Sequence, residues 1–105
     1  MSTATIDTIG CVKAATQILG DKWTPIILRH FVNQKTVRFC QVQDLVAGIN
    51  PRTLSARLDS LEQEGVISKS ATTSESRCEY SLTDKGEALI PTLRDMQAWS
   101  EQFSA

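Results

Sequence analysis

Residues 50–65 constrain the fold of this chain more tightly than any other stretch, because they write out a helix together with both of its ends. Asn50 carries a short amide able to accept a hydrogen bond from the first free N–H groups of a helix, and Pro51 has its φ preset for the first helical position. Ile49 and Leu54 fall where two apolar side chains clasp across a helix start, and Gly65 suits the left-handed residue that closes one. Leu54, Leu58 and Leu61 recur on one side, which must therefore be buried. At about 100° per residue, the opposite side carries Arg52, Ala56 and Asp59, with Thr53 and Ser55 at its edges.

The flanking pattern gives this helix its neighbours. Val12, Ala15, Ile18 and Leu19 keep helical spacing up to Gly20, which is placed to end a first helix. Trp23, Ile26, Ile27, His30 and Phe31 share the face of a second helix running to about Asn33, with Pro25 in its first turn and a cap at Thr24 or, a turn earlier, at Asp21. Residues 36–38 are β-prone, and Phe39, Val42, Leu45 and Val46 then predict a third helix closed by Gly48. Beyond Gly65, Val66, Ile67 and Lys69 read as one strand and Cys78, Tyr80 and Leu82 as a second, separated by a Ser/Thr-rich tip. Thr83 caps a last helix carrying Leu89, Leu93, Met96 and Phe103, which Pro91 should kink or split in two.

A helix, a tight turn at residues 47–50, a second helix and a β-hairpin make a mainly α chain with a small β wing, an α+β arrangement of winged helix-turn-helix type. With 105 residues, 41% apolar and 22% charged, one domain over residues 11–105 is expected, preceded by a loose arm at 1–10. No stretch approaches the ~18 apolar residues of a membrane span, and the first ten lack the regions of a secretion signal, which predicts a cytoplasmic protein without membrane contact. Cys11, Cys40 and Cys78 have neither CxxC spacing nor histidine partners, so a disulfide scaffold, a metal site and a cofactor are all unsupported. Cys40 and Cys78, flanked by core residues, read as structural.

Charge is distributed unevenly. From Lys22 to Leu58 six cations, Lys22, Arg29, Lys35, Arg38, Arg52 and Arg57, face Asp44 alone, whereas from Asp59 onward nine carboxylates face four cations. A chain of net charge −1 thus has a basic first part and an acidic second part, as a DNA-facing half joined to a solvated or dimerising half would. The outward side of the helix from Pro51 begins cationic and small. Arginine donors suit guanine edges, hydroxyls suit bases or phosphates, and small side chains let the backbone sit deep in the major groove. Arg38, Arg57, Lys69 and Arg77 fall where phosphate clamping is expected, whereas Asp59, Glu62 and Glu64 fall where the helix would leave the DNA. The same residues are compatible with solvated positions of an amphipathic helix, or with a face that contacts protein instead of DNA. An enzyme is disfavoured: His30 stands alone on an apolar side, and there is neither a phosphate loop nor a placed carboxylate pair.

The motifs also resemble those of a known family. Cys11, then Gly20-Asp21-Lys22-Trp23 leading into Ile26-Ile27-Leu28-Arg29, Arg38-Phe39, Gly48-Ile49-Asn50-Pro51-Arg52-Thr53-Leu54-Ser55, residues 58–65, Glu79-Tyr80-Ser81-Leu82-Thr83-Asp84-Lys85-Gly86, and Pro91, Leu93 and Trp99 are similar to the HxlR-type helix-turn-helix regulators, relatives of the MarR group. That resemblance implies a bacterial transcription regulator, a winged helix, a homodimer held by its first and last helices, and a pseudo-palindromic operator in duplex DNA. By position it makes residues 51–64 the reading helix and 66–82 the wing. The DNA-binding set becomes Arg38, Asn50, Arg52, Thr53, Ser55, Ala56, Arg57, Lys69 and Arg77, and the dimer set Val12, Ala15, Ile90, Leu93, Met96, Trp99 and Phe103. Residues 71–76 depart from the family in lacking proline and added cations, so wing contact is expected at Arg77 rather than at the tip.

Some members of that family respond to thiol oxidants or quinones through a cysteine near the amino end, and Cys11 occupies the matching place. A thiol at a helix start with Lys13 nearby gains thiolate character when exposed, which would allow an inter-subunit or mixed disulfide; a buried thiol would only pack. Trp23, Trp99 and Phe103 could line a pocket for a small effector, or serve as core and dimer contacts.

Overall fold

The computed structural model describes residues 12–70 and 78–104. The arm at 1–10, Cys11, the tip of the hairpin and Arg77 lie outside the described residues. The elements, in chain order, are α1 (Lys13–Leu19), α2 (Trp23–Leu28) extended by a 3₁₀ turn (Arg29–Phe31), β1 (Val37–Arg38), α3 (Phe39–Leu45), α4 (Pro51–Gln63), β2 (Ile67–Ser70), β3 (Glu79–Leu82), α5 (Asp84–Glu87) and α6 (Ile90–Phe103).

The ends of α4 form as its sequence dictates. The Thr53 N–H donates to Asn50 Oδ1 at 2.8 Å, Pro51 occupies the first turn, and Gly65 adopts φ +77° just past the end. Ile49 and Leu54 are both buried, and Leu54, Leu58 and Leu61 have no more than 2% of their surface exposed. Gly48, at φ +84°, turns the chain between α3 and α4 in a conformation that side chains rarely adopt.

The core gathers Ile27, Leu28 and Phe31 from α2 and its 3₁₀ turn, Val42 and Val46 from the region of α3, the three α4 leucines, and Val66, Ile67, Cys78 and Tyr80 from the sheet. β1 pairs with β3 and β3 with β2, all antiparallel, in the order β1-β3-β2, so residues 37–38 add a third strand to the two-stranded wing. Val37 lies opposite Tyr80, and Lys69 lies opposite the same Tyr80 from the other side.

Several sequence expectations are corrected. α2 does not continue to Asn33: it tightens into a 3₁₀ turn that ends at Phe31. Of the two candidate caps, Asp21 is the one used, and Thr24 lies within α2 as a buried residue. Leu45 does not join the buried face of α3 but is 51% exposed, and Cys40 is exposed rather than packed. Pro91 splits the last helix: α5 is a single turn and α6 restarts with Pro91 in its first turn.

The break between α5 and α6 leaves α5 free to sit on the end of α4. The Thr83 hydroxyl accepts from the Gly86 N–H at 3.1 Å and approaches the Gly65 carbonyl, while the Thr83 N–H donates to the Val66 carbonyl at 3.0 Å. Lys85 Nζ donates to the Glu64 carbonyl at 2.7 Å, neutralising part of the negative end of α4. Gly86 is buried so close to this junction that an added Cβ would strike the Val66 carbonyl oxygen.

Candidate nucleic-acid interface

Between the outer side of α4 and the base of the wing lies an open concavity of about 690 Å³. Pro51, Arg52, Ser55, Ala56 and Asp59 line it from α4, Lys69 and Tyr80 from the sheet, and Phe39 from α3. The geometry follows from burial. With Leu54, Leu58 and Leu61 fixed in the core, Arg52, Ser55, Ala56 and Asp59 are exposed by helical period alone. Lys69 is an exposed residue of β2; it shares the side of the strand that carries buried Ile67, but two residues further on the strand has run past the core, so the side chain reaches solvent beside α4.

The predicted DNA-binding residues divide into three groups. Arg52, Ser55, Ala56 and Lys69 meet in the concavity. Arg38, Asn50 and Thr53 lie nearby in structural roles. The Arg38 N–H donates to Gln41 Oε1 at 2.9 Å at the start of α3, its guanidinium stands 3.7 Å from Glu79, and Asn50 and Thr53 make the α4 cap. The Arg38 side chain remains 57% exposed, so its ion pair with Glu79 is a weak surface contact that a phosphate could displace.

Arg57 is placed differently from the expectation. Its Nη1 lies 3.4 Å from Asp21 Oδ2 in a half-buried pair, so it ties α4 to the start of α2 instead of projecting as a phosphate clamp. Asp21 is the hub of that tie. Its Oδ1 accepts from the N–H groups of Trp23 and Thr24, both at 2.8 Å, and its Oδ2 accepts from the Thr24 hydroxyl. Burial pushes the Asp21 carboxyl up, but the bonds from Thr24 and Trp23 and the Arg57 charge outweigh it and hold the group below the ordinary aspartate value.

Asp59 lies on the same outward side as Arg52 and Ala56, as the leucine period predicts, and lines the concavity with them. The sequence also gave no weight to Phe39 and Tyr80, aromatic residues that form the floor; β1–β3 pairing at Val37 and Tyr80 brings them there, and only the tertiary fold reveals it.

At the far end, α6 leaves an apolar stripe in solvent. Met96, Trp99 and Phe103 are 40%, 65% and 61% exposed, the rings of Trp99 and Phe103 pack at 5.2 Å between centroids, and Val12 is exposed next to α1. Ala15 and Ile90 are half-buried. Leu93 departs from the dimer set: it is buried in the core of its own chain because it faces inward from the first turns of α6. A cavity of about 510 Å³ between α2 and α6 is lined by Pro25, Ile26, Arg29, Arg94, Met96 and others, and not by Trp23, Trp99 or Phe103, the trio considered for an effector pocket. His30 is half-buried in the 3₁₀ turn; burial first, then the charge of Arg29, lowers its pKa. Among the described residues, no group of three or more His, Cys, Asp or Glu could hold a metal ion, and no helix is long and apolar enough to cross a membrane.

Two helices meeting at a tight turn, the second exposing Arg52 and small residues beside a three-stranded wing, define a winged helix-turn-helix protein. The chain matches the model of the HxlR-like helix-turn-helix family over residues 18–105 and belongs to that family; it is an HxlR-type helix-turn-helix transcriptional regulator. The regulator YvaP of Bacillus subtilis is 36% identical over 90 residues, covering 85% of this chain and 82% of YvaP. Among solved structures, the redox regulator HypR in its oxidised form superposes with a TM-score of 0.81 at 27% identity, over 90% of this chain and 97% of that one. The quinone-bound YodB of B. subtilis does so with a TM-score of 0.74 at 29% identity, over 88% and 96%.

Proposed function

We propose that residues 11–105 act as a single regulatory domain that binds a pseudo-palindromic operator as a homodimer, with α4 lying in the major groove of each half-site. The observation that carries this reading is the concavity of Arg52, Ser55, Ala56 and Lys69, in which a long cation and small neighbours stand clear of the core. Arg52 donates to a guanine edge, Ser55 and Ala56 permit close approach of the helix, and Lys69 with Arg38 holds flanking phosphates. Arg77, two residues before β3 in the sequence, is the further cation assigned to phosphate. Arg57 acts through Asp21 to fix the rotation of α4 and does not itself hold DNA.

The dimer joins α1 and α6 of two copies through Val12, Met96, Trp99 and Phe103, with Ala15 and Ile90 at the margin. Covering that stripe removes two large aromatic rings from water and sets the two α4 helices about one DNA turn, roughly 34 Å, apart. The protein acts in the cytoplasm, where its DNA is. Its signal is a small molecule or a thiol oxidant, a reading supported by the quinone-bound form of YodB and the oxidised form of HypR. Cys11 is the thiol assigned to it.

Gel-shift titrations of duplex DNA across a range of salt concentrations test this function. Affinity should fall steeply as salt rises; Arg52→Ala should relax base preference, whereas Arg38→Ala should weaken all sequences alike. Weak binding with no dependence on salt would instead favour a face that contacts protein.

A further inference from the structure

Resting on that reading of α4, we propose that Asp59 is a specificity-determining residue: its carboxylate accepts the N4 amine of a cytosine about three base pairs from the guanine read by Arg52. Asp59 follows Arg52 by seven residues, two helical turns, so the two side chains leave the axis within about 20° of each other and about 10.5 Å apart along it. That separation matches three steps of B-form DNA at about 3.4 Å each. Both residues are exposed and line the one concavity between α4 and the wing. Asp59 has no ion-pair or hydrogen-bond partner among the described residues, even though Lys69 lines the same depression.

A carboxylate facing DNA is unfavourable against phosphate oxygens and needs a donor. Guanine offers acceptors at O6 and N7, and thymine an acceptor at O4. Adenine has an N6 amine, but its N7 acceptor stands beside it and opposes the second carboxylate oxygen. Cytosine presents an N4 amine at the end of the G·C pattern, with the paired guanine O6 on one side only and its own C5–H on the other, so a carboxylate can approach the amine from the C5 side and meets this base edge most favourably. Ala56, between Arg52 and Asp59 on the same side, leaves room for the helix to approach closely enough for both to reach.

The test is enrichment of the full chain on a randomised duplex library, followed by sequencing, for the wild type and for Asp59→Ala, Asp59→Asn and Arg52→Ala. The wild type should prefer cytosine about three positions from the Arg52 guanine by roughly five- to tenfold over other bases. Asp59→Ala should lose that preference while retaining the guanine, and Asp59→Asn should shift it to adenine, whose N6 and N7 an amide matches. Tighter binding of Asp59→Ala to every sequence with an unchanged profile would show that Asp59 only repels the backbone, and would overturn the proposal. If Arg52→Ala also leaves the wild-type profile unchanged, the failure belongs to the placement of α4 and not to Asp59 alone.

Discussion

Replacing Gly86 by alanine is the sharpest test of how the recognition helix is held. A Cβ at this position would strike the Val66 carbonyl oxygen and come within 2.9 Å of Leu82 Cδ2 and 3.2 Å of the Val66 carbonyl carbon. Backbone cannot yield as a side-chain tip does, and this carbonyl is already held by the Thr83 N–H at 3.0 Å. α5 must therefore lift off the α4–β2 junction. Forcing a methyl into packed structure costs about 1–3 kcal/mol, and loosening one junction hydrogen bond adds about 1 kcal/mol, so roughly 2–4 kcal/mol is expected. For a domain of this size that lowers the Tm by roughly 10–20 °C. Gly65→Ala supplies an internal comparison: it has open space around its Cβ but a φ of +77°, so its cost is conformational, about 1–2 kcal/mol. Thermal unfolding followed by circular dichroism measures both variants. A Gly86→Ala protein as stable as the wild type, or more stable than Gly65→Ala, would refute the claim that α5 locks the end of α4.

Acidification should destabilise the protein in two stages. The His30 pKa is lowered on folding, so its contribution is fully present above about 6.5 and is lost as pH falls through the lower folded value. Asp21 is likewise lowered, and its contribution disappears only below the ordinary value of 3.8; urea titrations across pH should show the second stage vanish in Asp21→Asn. Trp99→Glu places a charge in the apolar stripe of α6 and should turn a dimer into a monomer in light scattering without lowering helix content. Wild-type protein treated with diamide should lose affinity for duplex and recover it on reduction, whereas Cys11→Ser should be unaffected; an equal loss in Cys11→Ser would move the response to another thiol.

What the sequence made legible was whatever local chemistry decides. The α4 helix could be read to within a residue because Asn50, Pro51 and Gly65 act through backbone preferences and adjacent hydrogen bonds, with no help from distant contacts. The exposure of Arg52 and Ala56 followed from the leucine period in the same way. The contact of Arg57 was not legible for the opposite reason, since it is not local: Arg57 pairs with Asp21, 36 residues away. Asp59 follows the leucine period like Arg52, and only the packing of β2 beside α4 shows that this side meets the wing. Leu45 keeps the apolar period but is the last residue of α3 and stays exposed, and Leu93 packs into the core of its own chain while Met96, three residues on in the same helix, stays in solvent. The 3₁₀ turn after α2 carries no composition that distinguishes it from helix.

Sequence reading by this protein requires Arg52 to enter the major groove, and dimethyl sulfate reports on that groove directly because it methylates guanine at N7. With saturating protein on its selected duplex, one guanine in each half-site should be shielded by the wild type and should regain full reactivity with Arg52→Ala, while phosphate contacts elsewhere persist. Guanines that stay fully reactive beneath bound protein, or shielding that survives the loss of Arg52, would contradict it.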